Sequence, residues 1–273
     1  MVDILKDLST PALVKAIKAN RFGYYRYLAN SPKAELNESP QITWLLSGIP
    51  VPFLNNVLHT QLTPDNVDEK IEETLAYLKS RNITKLAWWT EPGTLPANLG
   101  EHLTAHGLTY TDSEPGMAVD LLALNEDVTL SSELAVEHVG DGKTLKKFAK
   151  AAAVGFGIPD ASEGCFELLS GLGFELPLRN YIGLLNGKPA ATSQMFLGAG
   201  VAGIYWVATV PEARRQGFGA LMTLAPLIEA REMGYRVGIL HSSPMGFGIY
   251  TQLGFREYCR MSNYEWDSER TPE

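Results

Sequence analysis

A chain of 273 residues, 45% hydrophobic and 20% charged, is long enough for one large domain or two ordinary ones with a proper core. Its net charge of −8 argues against non-specific binding to nucleic acid or to anionic membranes, and tilts weakly toward a cationic small substrate. The two cysteines, Cys165 and Cys259, lie far apart without metal-ligand spacing; a disulfide stays open, and two free thiols in a reducing compartment are expected.

The opening stretch "MVDILKDLSTPALVKAIKAN" is amphipathic and charged throughout, with no apolar leader core and no cleavage pattern. No run approaches the roughly eighteen apolar residues of a membrane span. A soluble cytoplasmic protein is the expectation. Helical periodicity covers "LVKAIKANRFGYYRYLAN" and, more clearly, Val67–Arg81, where Asp65 or Asn66 can cap and Ile71, Leu75 and Leu78 share a face. Ile83–Thr90 reads as a strand, followed by a short helix ending "LTAHG" and a strand over Gly116–Leu124. Asn125–Glu133 is polar and aperiodic and serves as the expected linker.

The pattern then restarts. Leu134–Val139 is a strand, "GDGKTLKKFAKAAAV" a helix, and "DASEGCFELLSGLG" a second helix capped by Asp160 or Ser162. "NYIGLL" and "KPAATSQMFL" form a hairpin across Asn186-Gly187. "VAGIYWVATV" is a strand leading through a glycine loop into a helix that ends near Met233. "YRVGILHSS" is a strand, "GFGIYTQLG" a short helix, and "FREYC" and "MSNYEW" are closing strands. An echo links "LTAHGLTYTDSEPGMAVDL" to "YTQLGFREYCRMSNYEW", aligning Gly107 on Gly254 and Leu108 on Phe255; both read as helix end, glycine, apolar residue, strand, turn, strand. Two copies of one α/β unit are expected, the first lacking any counterpart of "RRQGFG".

"GAGVAG" (Gly198–Gly203) fits the dinucleotide-binding glycine pattern by letter. It runs on into a β-branched, aromatic strand closed by Pro211, so a glycine turn between strands is expected. "RRQGFGALM" differs: a strand precedes it and a helix comes after it, so glycine-freed N–H groups and the positive end of the helix dipole suit an anion. No Gly-Lys-Ser/Thr closes it, which excludes a nucleotide-hydrolase P-loop. His102 and His106 stand four apart on a helix but show no third metal ligand, so no metal is expected. His241 reads as a core or edge histidine that can also line a substrate site. "RFGYYRYL" mixes arginine with aromatics as a nucleic-acid surface does, yet the acidity of the chain and the helical spacing favour ordinary packing.

"VATVPEARRQGFGALM" and "SSPMGFGIYTQLGF", in this order and spacing, resemble the Gcn5-related N-acetyltransferase (GNAT) superfamily over roughly residues 129–268. The resemblance implies an α/β (α+β) GNAT fold, a mixed, mostly antiparallel sheet flanked by helices, in two GNAT-like halves. Residues 1–125 would be a degenerate N-terminal half and 126–273 the acetyl-CoA-binding catalytic half. It further implies that backbone at Val207, Ala208 and Thr209 pairs with the pantetheine arm. The loop of Arg214, Arg215, Gln216, Gly217, Phe218, Gly219 and Ala220 would wrap the coenzyme A pyrophosphate. Tyr250 matches the general acid that protonates the departing sulfur. Many members carry a glutamate on the fifth strand or an asparagine after it. Gly238 and Ser243 stand there, and Ser243 is grouped with the coenzyme-binding residues.

No carboxylate lies on "GIYWVATV", which leaves the general base unassigned; Glu163, Glu167 and Glu175 are loose candidates, each better read as a solvated surface charge. The matter is not trivial, since an alkyl ammonium of pKa about 10.4 is only about 0.04% neutral at pH 7. The implied reaction moves an acetyl or short acyl group from acyl-CoA, as cosubstrate, to a small-molecule amine, in a protein that can be a homodimer. The alternatives are a non-catalytic acyl-CoA-binding sensor or scaffold, and acetylation of a protein N-terminus or lysine.

Overall fold

The computed structural model describes residues 3–130 and 133–269. The chain first forms α1 (Thr10–Leu28), β1 (Glu35–Glu38), β2 (Ile42–Leu46), β3 (Asn55–Thr60), α2 (Val67–Ser80), β4 (Lys85–Thr90), α3 (Leu99–Ala105) and β5 (Thr109–Asp120). β6 (Ala135–His138), α4 (Gly142–Gly155), α5 (Ser162–Ser170), β7 (Leu178–Leu185), β8 (Lys188–Gly198) and β9 (Val201–Thr209) come next. α6 (Phe218–Glu232), β10 (Val237–His241), α7 (Pro244–Gln252) and β11 (Arg256–Asp267) complete it. Among the described residues no helix is long and apolar enough to cross a membrane. Both cysteines are buried, and neither is in a disulfide.

Local chemistry explains most boundaries. Asp141 accepts from the Thr144 N–H, and the Thr144 hydroxyl reaches back to the Asp141 N–H, so a capping box starts α4. Asn186 and Gly187 both take positive φ (51° and 73°), the geometry of a two-residue hairpin turn between β7 and β8. Ala199 and Gly200 (53° and 74°) do the same between β8 and β9, so the "GAGVAG" run is a strand turn, as expected. The predicted caps of α5 are not used: a 3-10 turn over Pro159–Ala161 leads into it and Ala161 holds the cap position.

Two compact units emerge. Unit 1 is drawn from the N-terminal segment through Tyr27 and from Pro115–Tyr258; unit 2 comprises Leu28–Glu114 and the segment from Cys259 onward. In unit 1 the strands run β6, β7, β8, β9, β10, β5, antiparallel throughout except for the parallel β9–β10 pair. In unit 2 they run β1, β2, β3, β4, β11, with β3–β4 the parallel pair. The pattern of two antiparallel pairs, one parallel pair and a further antiparallel pair therefore occurs twice. In each case its last strand comes from the other half of the sequence. Residues Gly116–Asp120 of β5 pair with β10, and Ser262–Asp267 of β11 pair with β4.

A single boundary near residue 125 does not describe these units, because the chain passes between them within β5 and within β11. That passage also corrects the expected strand–turn–strand at both copies of the echo: each is one uninterrupted strand of 12 residues. The echo itself holds down to its hydrogen bonds. Gly107 (φ 85°) and Gly254 (φ 100°) end α3 and α7, donating to the Thr104 and Thr251 carbonyls. Leu108 and Phe255 donate to the Leu103 and Tyr250 carbonyls and bury their side chains. The expected linker is a strap on unit 1. The Asn125 N–H donates to Leu253 O, Asn125 Nδ2 to Gln252 O, and Val128 and Leu130 pack on the core. Ser131 and Ser132 of that segment lie outside the described residues.

Each unit has its own core. In unit 1, Phe218, Met222 and Leu227 of α6 pack on Met195, Ile204 and Leu240. In unit 2, Ile71 and Leu78 of α2 pack with Leu103 of α3 and Trp88 of β4. Burying each such side chain stabilises the fold by about 1.5–3 kcal/mol.

Candidate functional site

The parallel register of β9 and β10 covers Ala202–Ile204 against Gly238–Leu240 and stops there, while β9 continues to Thr209. Beyond Ile204 the strand keeps β8 on one side, with Ala208 opposite Thr192 and Thr209 opposite Ala191. The Val210 N–H donates to Ala190 O on β8. Alternation along an extended chain then directs the Ala208 N–H to β8 as well, and those of Val207 and Thr209 away from it. A strand edge with donors of its own thus opens where β9 and β10 part.

At the start of this edge the β8–β9 register shifts, and Trp206 adopts φ 51°. A left-handed conformation at so bulky a residue costs about 1–3 kcal/mol. The Thr192 hydroxyl, which donates to Trp206 O at 2.9 Å, helps hold the bulge.

At its end the edge runs through a 3-10 turn (Pro211–Ala213) into extended Arg214, then left-handed Arg215 (φ 60°) and left-handed Gly217 (φ 82°). Gly217 is the N-cap of α6, and no side chain caps the helix. Its first amides therefore sit at the positive end of a 15-residue dipole without a capping side chain.

The two glycines of the loop have different reasons to be glycine. A Cβ on Gly217 would stand 2.5 Å from Thr129 O and 2.9 Å from Leu130 Cδ2, and the residue needs positive φ. Its lack of a side chain serves the chain's own packing. Gly219 has ordinary helical backbone, and a Cβ there would meet only Ile249 Cδ1 at 3.6 Å. Nothing in the fold requires that glycine, which leaves room for a group approaching the helix mouth.

The remaining expected residues divide by what their side chains do. Arg214 is tied to the fold, donating from Nε to Thr209 O (3.2 Å) and from Nη2 to Gly155 O (2.8 Å). Phe218 buries its side chain and offers only backbone, while Ala208 buries its side chain and turns its backbone to β8, so the expected pairing of Ala208 with an arm on the open edge does not fit. Arg215 is exposed, and Gln216 and Ala220 are half-buried. Ser243 accepts from the Gly246 N–H at 3.3 Å as the N-cap of α7, so its hydroxyl is engaged in the helix start.

Tyr250, on α7, is 8% exposed and edge-on to Phe255 with ring centroids 6.0 Å apart. One turn earlier, a Cβ on Gly246 would come within 2.6 Å of Tyr250 Cε2, so that glycine makes the place for the phenol ring. The aligned residue of the first copy is Leu103, which has no proton to give.

Of the loose base candidates, Glu163 pairs with Lys146 at 3.0 Å on the surface, and Glu167 and Glu175 are exposed. His102 and His106 both bind one oxygen of Asp68, at 2.8 and 3.0 Å. His241 ends β10 one residue past the last β9–β10 pair, and its Nε2 is buried without a hydrogen bond. Burial, and then the positive charge of Arg21, push its pKa down to about 3, so the ring is neutral.

A polar layer that sequence reasoning missed lies between α1 and the unit 1 sheet. Tyr24 donates to Gln194 Oε1 (2.9 Å) and Gln194 Nε2 to Asn180 Oδ1 (2.6 Å). Tyr205 donates to Asn20 Oδ1 (2.8 Å), and the Tyr24 and Tyr205 rings stack at 4.0 Å. Burial raises both phenols well above their usual range, so the layer carries neutral hydroxyls. Only the tyrosine pattern of "RFGYYRYL" hinted at it.

The corresponding place in unit 2 is filled by the chain itself. β3 and β4 pair over only Asn56–Val57. Leu95 then bridges Gln61, donating to Thr60 O and accepting from the Leu62 N–H. α2 opens with Asp68 and Glu69 where α6 is preceded by arginines. An acidic mouth and an occupied edge suit no diphosphate.

No protein-family model and no curated protein sequence matches the chain. Solved structures do match across its length. A Gcn5-related N-acetyltransferase from Kribbella flavida is 20% identical over 91% of this chain and 95% of its own, with a TM-score of 0.65. A functionally unknown conserved protein from Staphylococcus epidermidis is 13% identical, covering 85% and 92% of the two chains, at TM-score 0.64. A tandem GNAT protein from the clavulanic acid biosynthesis pathway is 17% identical, covering 89% and 86%, at 0.54. With its mixed, mostly antiparallel sheets flanked by helices and its doubled strand pattern, the chain has the fold of the Gcn5-related N-acetyltransferases, in a tandem arrangement.

Proposed function

We infer that the protein is an acyltransferase that moves an acetyl or short acyl group from acyl-CoA to an amine, and that unit 1 carries the reaction. The observation behind this reading is the open β9 edge that leads, through Arg215 and Gly217, to the uncapped mouth of α6. An extended, amide-bearing arm can add to such an edge, and a diphosphate suits a helix N-terminus flanked by an exposed arginine and an unfilled glycine. Val207 and Thr209, whose backbone faces the open edge on either side of Ala208, would hold the arm, and the segment from Arg214 to Ala220 the diphosphate, with Arg214 bracing the loop. The names of the Kribbella flavida and clavulanic-pathway proteins support the same class of chemistry.

The Val207 N–H polarises the thioester carbonyl, favouring the charge that develops on its oxygen. The amine nitrogen attacks that carbon, the C–N bond forms, and the C–S bond breaks with its electron pair on sulfur. Tyr250 gives the sulfur a proton and regains one from the proton the amine releases to water. The products are the amide and the free thiol of coenzyme A.

Calorimetric titration of acetyl-CoA, paired with thiol release in the presence of amines, tests this reading. The wild type should bind and turn over. Tyr250→Phe, which keeps the ring against Phe255, should bind equally and lose about a hundredfold in kcat. Binding without turnover for any amine would make the protein an acyl-CoA-binding module. No binding would leave the loop a structural turn.

A further inference from the structure

The helix α4 carries a surface that works against its own stability. Every exposed side chain on it is a lysine's, at Lys143, Lys146, Lys147 and Lys150, and the helix holds no acidic residue. These positions are spaced i, i+3, i+4 and i+7, so the four ammonium groups share one face as like-charged neighbours, which destabilises a helix. Lys143 also stands at the positive end of the helix dipole, beside the Asp141 cap. Local relief is small: Glu163 pairs with Lys146 at 3.0 Å, and Lys146 lies over the Phe166 ring at 5.3 Å. Among the described residues, neither Lys147 nor Lys150 has an ion pair or a side-chain hydrogen bond.

The stripe spans about 10 Å along the helix axis. Its face offers a bilayer no apolar group, because Leu145, Phe148 and Ala152 are buried. The net charge of −8 repels extended polyanions. A short acidic protein segment is the complement, and the chain itself carries one. In unit 2, every exposed residue in the first two turns of α2 is acidic: Asp68, Glu69, Glu72 and Glu73. The side chains of Asp68, Glu72 and Glu73 are each more than half exposed. One Asp68 oxygen accepts from His102 and His106, and Glu73 pairs with Lys70 at 2.6 Å. Among the described residues, Glu69 has no ion pair or side-chain hydrogen bond. This second stripe is about 8 Å long, close to the length of the first.

We propose that the chain self-associates through these two helices, the lysine stripe of α4 on one copy lying along the acidic start of α2 on another. A two-fold pair uses the contact twice. The ammonium groups that repel one another within a copy gain carboxylate partners in the pair, so association recovers stability that α4 gives up alone. With charged stripes and no apolar centre between them, the pairing is reversible, concentration-dependent and weakened by salt. It stands apart from the acyl-transfer reading, since it uses no residue of the open β9 edge or of the α6 mouth.

Sedimentation equilibrium of the full chain tests this. At low ionic strength the average mass should rise from monomer toward dimer with concentration. In about 0.5 M sodium chloride, where the Debye length is about 4 Å, the association constant should fall at least tenfold. Two charge reversals are made separately: Lys147→Glu with Lys150→Glu, and Glu69→Lys with Glu72→Lys. Each protein alone should stay monomeric, because it sets like charges against each other. An equimolar mixture of the two should pair again, because each then meets its complement. A monomeric wild type, a dimer that either reversal leaves intact, or a mixture that stays monomeric overturns the proposal.

A milder variant, Lys147→Gln with Lys150→Gln, decides the matter where a reversal unfolds. It removes the like-charged neighbours, so at dilutions where the wild type is monomeric it should melt no lower than the wild type. It should also weaken self-association about tenfold. A lower melting temperature would assign the lysines to the fold and overturn the proposal. So would a wild type that stays monomeric yet binds duplex DNA or phosphatidylserine vesicles, since the stripe would then serve another polyanion.

Discussion

Substituting Gly217 and Gly219 separately by alanine distinguishes a glycine kept for the fold from one kept for a ligand. At Gly217, positive φ costs a β-carbon about 1–2 kcal/mol. The contact with Thr129 O at 2.5 Å forces the strap to move, adding about 1–3 kcal/mol. Gly217→Ala should therefore lower the melting temperature by several degrees. At Gly219 the backbone is helical and the nearest atom to a new Cβ is 3.6 Å away, so alanine should stabilise the helix by about 0.5–1 kcal/mol. That corresponds to a rise in Tm of about 1–4 °C for a domain of this size.

The same methyl group would stand between a diphosphate and the second amide of α6. Losing one charge-assisted hydrogen bond of about 1.5–3 kcal/mol weakens acetyl-CoA binding roughly ten- to a hundredfold. Differential scanning fluorimetry and isothermal titration calorimetry on the two variants supply both quantities. A Gly219→Ala protein that melts higher and binds acetyl-CoA as the wild type does would refute the assignment of the diphosphate to this helix mouth.

Three further outcomes are expected. Gly246→Ala should displace the Tyr250 ring, whose Cε2 lies 2.6 Å from the added Cβ; kcat should fall at least tenfold while the acetyl-CoA Kd stays within twofold, measured by thiol release and calorimetry. His241 has a folded pKa of about 3 against an ordinary value near 6.5, so below pH 6.5 the unfolded chain binds a proton that the folded one refuses. Stability should then fall with acidification at up to about 1.4 kcal/mol per pH unit. Urea denaturation at pH 7 and pH 5 should show His241→Gln losing less than the wild type; equal losses would mean that the ring is not held neutral. Acetyl-CoA should bind with a stoichiometry near one per chain, because Leu95 occupies the β3 edge and Asp68 and Glu69 stand at the mouth of α2; a calorimetric stoichiometry near two would contradict this.

Part of the architecture was legible because it is local. Asn186-Gly187 and Ala199-Gly200 announce two-residue turns by composition, and the turn at Gly200 removes the dinucleotide reading of "GAGVAG". Asp141 and Thr144 specify a helix start within four residues. The Gly107–Leu108 and Gly254–Phe255 pairs carry one helix-ending motif twice, enough to reveal the doubled unit. The sequence of the α6 mouth likewise encodes an anion-compatible turn, since left-handed Arg215 and Gly217 and the ensuing helix are set by neighbours in the chain.

Other features depend on partners far away in sequence. Whether "TYTDSEPGMAVD" bends or runs straight is decided by β10, a hundred residues and more downstream, and β11 is set in the same way by β4. The strap at Asn125–Leu130 looks like a linker until Leu253 and the core receive it. The placement of α1 in unit 1 rests on Asn20 and Tyr24 meeting carbonyls and side chains near residue 196.

Composition and turn chemistry thus determined which elements form and where an anion-compatible helix mouth lies, because those preferences are properties of short segments. Only the tertiary structure decided which strand edge stays open, which glycine is left without a packing role, and which half of the chain has its edge filled by its own backbone. Those outcomes are set by pairing and packing between distant segments, and no short stretch of sequence carries them.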